Sequence, residues 1–534
     1  MIIDTHFHLG PIPGYFNYDI SLDGILRLMD SLGITHAVNI HTAGLIYGDL
    51  EKGVQESIKA YEASNGRILS YHTFDPNIPQ KSLDVIRAYQ DHHIFRGVKI
   101  HPSFHGAPAD SEKYTAIWEY AQQNNTLLLS HTWDISPTNP AQKLSFPPLF
   151  EKYLAKYPHV RIIFGHSGGR FEGIQEAIRL GKKYPNVYFD TAGDIYANHF
   201  IETLVAEIGS QRVLFGSDCS MMDQRTMLGV VLGAKLSPQE KEDILYRNAA
   251  RLLEIESGEP SSAADAILGQ ITRYEQDKQQ LGFFDINCWW DAAHFKTFHR
   301  IESFEQLKQE LCAAGIAKAV IFNAECLKYD PLAGNENTAQ LIAGDEALYG
   351  CMLLTPEMAF RAGDMLGYVD QKIAQRFVAA RLFPKKMNHS MKKWLVGYIL
   401  EHLQTRKVPL ILWHNEVSWD LVDELCMEYP HLPVIIEGND VKLLYHNRNY
   451  LALLKRHRNF YIETHNLVLY SEIDTIVNDL GDENLLFGTY FPYNTPDAPI
   501  LPIIAGLSNA GHPMEEKSKR KIAYGNLQRL IDQI

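Results

Sequence analysis

A chain of 534 residues, 46% apolar and 21% charged, is too long for one ordinary core and too apolar for extended disorder. A formal charge of −14 without any basic run argues against nucleic acid as a partner. The six scattered cysteines form no Cys-x-x-Cys pair or disulfide framework. Neither a basic-apolar leader nor a membrane-length apolar run occurs, so a cytoplasmic protein acting on a small molecule is expected.

Taken in chain order, short apolar runs alternate with helix-like segments. Met1-Ile2-Ile3-Asp4 opens the series. It continues through HAVNI (36–40), RILSYHTF (67–74), FRGVKI (95–100), TLLLSH (126–131), VRIIFGH (160–166), NVYFDTA (186–192) and RVLFGSD (212–218). Near-continuous apolar strands separated by helices indicate a parallel sheet covered on both sides. Eight such strands within about 250 residues is the size of a (β/α)8 barrel.

The second half repeats the first. SLDGILRLMDSLGITHAV from Ser21 matches SFEQLKQELCAAGIAKAV from Ser303, and Lys99-Ile100-His101-Pro102 matches Arg381-Leu382-Phe383-Pro384 at the same offset of 282. NVYFDT (186–191) matches NFYIET (459–464), LFGSD (214–218) matches LFGTY (486–490), and Tyr246, Asn248 and Arg251 match Tyr524, Asn526 and Arg529. The expected fold is therefore α/β, two tandem (β/α)8 TIM-like barrels. Residues 1–258 form the first barrel, 259–282 a linker and helix, and 283–534 the second. The polar stretch Glu256-Ser257-Gly258-Glu259-Pro260-Ser261-Ser262 is read as an exposed linker.

Chemistry concentrates at strand ends of the first half. Residues two apart on a strand share a side, so His6 and His8 project together at the carboxyl end of the first strand. That end is the mouth of a barrel, where active sites of this fold sit. A lone His-x-His is weak as a motif, but His131, His166 and Asp218 end three later strands. Asp4 reads as a residue that supports the ligands from behind or as a structural one, Cys219 as packing away from the site, and His92-His93 as lying at the wrong end. The loop histidines His101 and His105 are either solvated or substrate contacts.

Asp4-Thr5-His6-Phe7-His8, Gly97-Val98-Lys99-Ile100-His101-Pro102, His131, Gly165-His166-Ser167-Gly168-Gly169 and Gly216-Ser217-Asp218 together resemble the amidohydrolase superfamily. Within it they resemble the branch of aminocarboxymuconate-semialdehyde decarboxylase and related hydrolases, over residues 1 to about 255. The resemblance implies one divalent metal on His6, His8, His131 and Asp218, with His166 near the water; zinc is preferred, and manganese and iron are alternatives. His166 and Asp218 are then the catalytic acid–base pair, with a fifth-ligand or hydrogen-bonding role as the alternative for His166. Lys99 is either carboxylated and bridging two metals, a free cation for an anionic substrate, or a barrel-lining residue; the single-metal reading is preferred. With His101 it is the candidate substrate-binding residue.

The second half reads as a degenerate copy. Asp285 matches Asp4, but His6 and His8 become Asn287 and Trp289, Asp218 becomes Tyr490, and Arg381 stands for Lys99. His166 falls at Glu437 or Gly438, and His131 is read as kept in His414. Loss of metal chemistry is the preferred reading, with a metal-free polar pocket of His414, Glu416, Glu437 and Tyr490 as the alternative. Related enzymes of that branch pair barrels as dimers, so the second barrel is expected to substitute for a partner subunit. The expected function is metal-dependent hydrolysis of a small carboxylated, lactone or amide substrate. The alternatives are non-oxidative decarboxylation of an unsaturated or aromatic acid, and a non-catalytic metabolite-binding protein.

Overall fold

The computed structural model describes residues 1–16, 18–255, 260–290, 297–439 and 441–534, with only the backbone for residues 260–262. The chain divides into two compact units, Met1–Pro13 with Asn17–Tyr274 and Gly14–Phe16 with Glu275–Ile534. Each contains an eight-stranded parallel sheet in sequential order. The first runs β1 (Ile2–Phe7), β2 (Ile34–Asn39), β3 (Ile68–Thr73), β4 (Phe95–Ile100), β5 (Leu128–His131), β6 (Ile162–Gly165), β7 (Val187–Asp190) and β8 (Val213–Leu214). The second runs β9 (Phe283–Trp290), β10 (Ile316–Asn323), β11 (Leu348–Leu353), β12 (Phe377–Arg381), β13 (Leu410–Trp413), β14 (Val434–Glu437), β15 (Phe460–Glu463) and β16 (Leu485–Leu486). A helix spans Pro260–Leu281, while the expected linker residues Glu256–Glu259 lie outside the described residues. Among the described residues, no helix is long and apolar enough to cross a membrane.

The two sheets close in the same way. In the first, Thr5 N–H donates to Phe215 O at 2.9 Å and Asp218 N–H to His6 O at 2.8 Å. In the second, Ile286 N–H donates to Phe487 O at 3.0 Å and Tyr490 N–H to Asn287 O at 2.9 Å. Both are therefore closed barrels, and the chain is a tandem duplication of a TIM-like barrel.

Repeated sequence features have repeated structural jobs. Ser21 and Ser303 each cap the first helix of their barrel, accepting from Gly24 N–H and Gln306 N–H. In the first helix Ile25, Leu28, Met29 and Leu32 are buried at the 3–4-residue spacing of one helical stripe. It ends at Gly33 with φ 67°, a left-handed cap that glycine adopts without steric cost. The closing segment of each barrel carries a π-helical turn, Asp243–Arg247 and Lys521–Gly525. Asn248 Nδ2 ties the first to Ser210 O and Val213 O, both at 2.7 Å, and Asn526 Nδ2 ties the second to Asp482 O and Leu485 O at 2.6 and 2.9 Å. Arg251 and Arg529 donate to Gln211 O and Glu483 O, each at 2.9 Å.

Candidate metal centre

The opening strand extends further than its apolar run, to Phe7, because His6 is itself fully buried in the barrel wall. Asp4 pairs with Ala37 but Phe7 with Asn39, so β1 carries a bulge across the histidine motif. Bulges beside active sites re-aim side chains. Asp4 secures the seam between β1 and β8: its carboxylate accepts from Ser217 N–H at 3.0 Å, Ser217 Oγ at 2.5 Å and Gln224 Nε2 at 2.9 Å. Burial raises its pKa to about 6, against these donors. Beyond the seam, Asp218 takes a left-handed backbone with φ 67°, a region that aspartate tolerates better than most residues.

One donor atom each from His6, His8 and Asp218 lies within 4.8 Å of the other two. The hydrogen bonds set the tautomers. His8 Nδ1–H donates to Ile40 O and His6 Nδ1–H to Asp190 Oδ2, both at 2.9 Å, which makes Nε2 the acceptor nitrogen of each ring and turns it to the site. His8 Nε2 stands 3.0 Å and His6 Nε2 3.8 Å from Asp218 Oδ1. Two neutral imidazole nitrogens and a carboxylate oxygen are the donor types of zinc, manganese or iron sites, so the residues fit a divalent ion. Burial, followed by Lys99, holds the His6 pKa well below the ordinary range, so the ring is neutral as a ligand must be.

Lys99, on β4, donates from Nζ to His6 Nε2 at 3.0 Å. Burial lowers its pKa to about 8, with Asp190 and Asp218 opposing the shift. His166 sits just past β6, its ring centroid 4.7 Å from that of His6, and its Nδ1–H donates to Ala192 O at 2.9 Å. Nε2 is thereby the acceptor nitrogen, and burial keeps the ring neutral. Gly165 is required before it: a Cβ there would lie 2.8 Å from Ser130 O and 3.0 Å from His6 Cε1.

His131 stands apart from the His6–His8–Asp218 set. Its Nε2–H donates to Gln142 Oε1 at 2.7 Å, and its ring packs edge-on to His166 at 4.6 Å between centroids. It stacks on His101 at 4.0 Å, which stacks on Phe104 at 4.0 Å, and it lies nearly parallel to Trp133 at 5.8 Å. These four rings form one face-to-face stack in the order Phe104, His101, His131, Trp133. His101 is buried rather than solvated, and His105 ends the short helix after it. His92 and His93 stack on each other ahead of β4, and the Cys219 thiol is buried.

Asp190 escaped the sequence reading. It ends β7, holds His6 Nδ1, and accepts from the backbone of His166 at 2.7 Å and Ala192 at 3.1 Å. Burial lifts its pKa to about 7. The available signal was a carboxylate closing a strand, repeated as Glu463 in the second half. A second convergent group, His6, His166 and Asp190, contains it. Gln142 was also missed, because it lies in a short 3-10 helix, Pro140–Ser145, away from any strand end.

Strand register corrects the alignment of the second barrel. Lys99 pairs with Leu129 as Arg381 pairs with Ile411, and His131 pairs with Gly165 as Trp413 pairs with Glu437. The counterpart of His131 is therefore Trp413; His414 answers to Thr132, each donating its N–H across the sheet at 3.1 Å. The same register puts Gly438 at His166 and Phe383 at His101. No metal-competent histidine of the first site survives. Trp413 stacks on Trp289 at 5.6 Å and meets Phe383 edge-on at 4.8 Å, while Tyr490 meets Trp289 at 5.6 Å. Arg381 forms a buried bidentate pair with Glu437 and reaches Asn287 Oδ1 at 3.1 Å. Asn287 Nδ2 donates to Glu463 at 2.8 Å, the bond that His6 makes to Asp190. Glu437 and Tyr490 thus belong to an aromatic and ion-paired filling of the mouth, joined by neither His414 nor Glu416 in those contacts.

Residues 3–255, the first barrel, match the family model described as Amidohydrolase, which is what this part of the chain is similar to. Solved structures similar to this chain include an uncharacterized TIM-barrel protein from Bordetella bronchiseptica, at 15% identity and TM-score 0.40, covering 49% of this chain and 99% of that one. The 2,6-dihydroxybenzoate decarboxylase from Rhizobium matches at 17% identity and TM-score 0.38, covering 48% and 99%. A dihydroxybenzoic acid decarboxylase from Polaromonas, solved with manganese and 2-nitroresorcinol, matches at 17% and 0.39, covering 48% and 98%. No curated protein matches the sequence.

Proposed function

We propose that the first barrel is a divalent-metal-dependent hydrolase of small carbonyl substrates, with His6, His8 and Asp218 holding the ion. The observation that carries this reading is the convergence of two oriented Nε2 lone pairs on one carboxylate oxygen. The ion, when bound, supplies Lewis acidity and acidifies water near it; zinc is the first to assay, then manganese and iron. Asp218 accepts the proton of the attacking water and passes it to the departing group, while His166 Nε2 accepts a hydrogen bond from the reacting water or substrate. Lys99 offers a cation to a substrate carboxylate. His131, whose Nε2 bonds to Gln142 Oε1, is the candidate for a further ligand.

A second reading, non-oxidative decarboxylation, is favoured by the aromatic stack of Phe104, His101, His131 and Trp133 beside His166, an apolar neighbour suited to an unsaturated acid. There Lys99 receives the carboxylate, and His166 Nε2 takes up the substrate's acid proton and returns it to the carbon from which carbon dioxide departs. The test is metal content of the full chain, followed by product analysis on lactones and amides beside aromatic and enoic acids, with released carbon dioxide measured. Asp218→Asn should lower turnover by about 100-fold or more, as loss of a ligand that also carries a proton. Absence of bound metal, with no gain on adding zinc, manganese or iron, would overturn both readings.

A further inference from the structure

Away from the strand ends that carry the histidines, a cavity of about 330 Å³ opens in the first barrel at the amino ends of β4, β5 and β6. Its charged lining residues are Arg96, Arg161 and Glu254, an excess of one positive charge. Among the described residues Arg96 has neither an ion-pair nor a hydrogen-bond partner, and its buried Nε is unsatisfied. Arg161 spends one Nη2 bond on Asn125 O at 3.1 Å. His72 also lines the cavity at 4% exposure, stacked on Phe95 at 3.7 Å. Neither of its ring nitrogens meets hydrogen-bond geometry within the protein, although the Tyr89 carbonyl pulls on the ring's proton affinity. Unsatisfied buried polar atoms are costly, and native proteins seldom keep them without a ligand or water.

The duplication supplies an internal control. By strand register, His72, Arg96 and Arg161 correspond to Met352, Val378 and Pro433 in the second barrel. That barrel closes the same place with apolar side chains, Met352 and Val378 both buried. The fold therefore does not require the polar lining; it accompanies the barrel that keeps the metal-ligand set. Two guanidinium groups beside an imidazole are the recognition chemistry of a small oxyanion, since the planar fork matches carboxylate or phosphate.

We propose that this cavity binds a small organic oxyanion, held by Arg96 and Arg161 with His72 at its inner wall. Binding of inorganic phosphate and of succinate to the full-length protein, by calorimetry in chloride buffer, tests it and separates the phosphate from the carboxylate source. Saturable binding of one anion per chain at millimolar concentration or below is expected. Arg96→Val, the residue of the second barrel, and Arg161→Ala should each weaken it at least about tenfold, the loss of one charge-assisted hydrogen bond. His72→Met should weaken it less. Absence of saturable binding by both probes, or affinities within twofold of the parent in both arginine variants, would overturn the proposal. Should Arg96→Val fail to fold, Arg161→Ala at the cavity rim decides alone.

Discussion

At the scale of single residues, the two barrels show two ways of managing charge in one mouth. In the first, Asp190 and Asp218 are set against neutral histidines and Lys99, leaving lone pairs directed inward. In the second, Arg381 supplies a permanent guanidinium and Glu437 answers it, both fully buried. Breaking a buried pair from one side leaves an uncompensated charge. Glu437→Ala should therefore destabilise the second barrel by about 3–5 kcal/mol, whereas replacing both partners by apolar residues should cost much less. Urea unfolding of the single and double variants measures the difference. Tyr490 retains the left-handed backbone of Asp218, φ 58° against 67°. An aromatic residue has no intrinsic reason to adopt it. The turn is thus a feature of the barrel closure, and the side chain it presents was free to change from ligand to filler.

At the scale of elements, the strands deliver the site and the helical closure holds it. Asn248 satisfies two carbonyls at the start of β8, one element from Asp218. Asn248→Ala should cost about 1–3 kcal/mol by leaving these buried acceptors unpaired, and Asn526→Ala should do the same in the second barrel, as thermal unfolding would show. Strand β3 carries a pH liability in His72. Burial lowers its pKa from 6.5 to about 3, so between those values the unfolded chain holds a proton that the folded chain does not. Stability rises with pH across this window and falls on acidification. From pH 6.5 to 5 the loss should be roughly 2 kcal/mol, and His72→Leu should flatten that part of the profile.

At the scale of the molecule, duplication has left one barrel with a metal-competent donor set and one with a filled mouth. Metal titration of the full chain should give one ion per chain, and the double substitution His6→Asn with His8→Trp, which copies the second barrel, should give none. A ligand that binds only the folded state stabilises it by about 2.7 kcal/mol at one hundred times its dissociation constant. Adding metal should thus raise the unfolding transition of the first barrel and leave that of the second in place. Equal shifts in both transitions would contradict the assignment of the ion to His6, His8 and Asp218.

Fold and duplication were legible in the sequence because they rest on periodicity and order. Apolar strand runs, the Ser21 and Ser303 caps and the Asn248 and Asn526 ties each act locally or at fixed spacing, and each left a repeated mark. His6, His8 and Asp218 were legible for the same reason, as donors at strand ends. What only the tertiary structure decided concerns contacts between strands. Register, set by backbone hydrogen bonds across the sheet, made Trp413 rather than His414 the counterpart of His131. Asp190 became visible as the holder of His6 only when β7 was placed beside β6 and β8, and the Arg96–His72 cavity only when helices packed on the outer side of β3 and β4. Sequence carries the period of a strand; a one-residue slip in its pairing changes which side chain meets which, and that choice is made by packing in three dimensions.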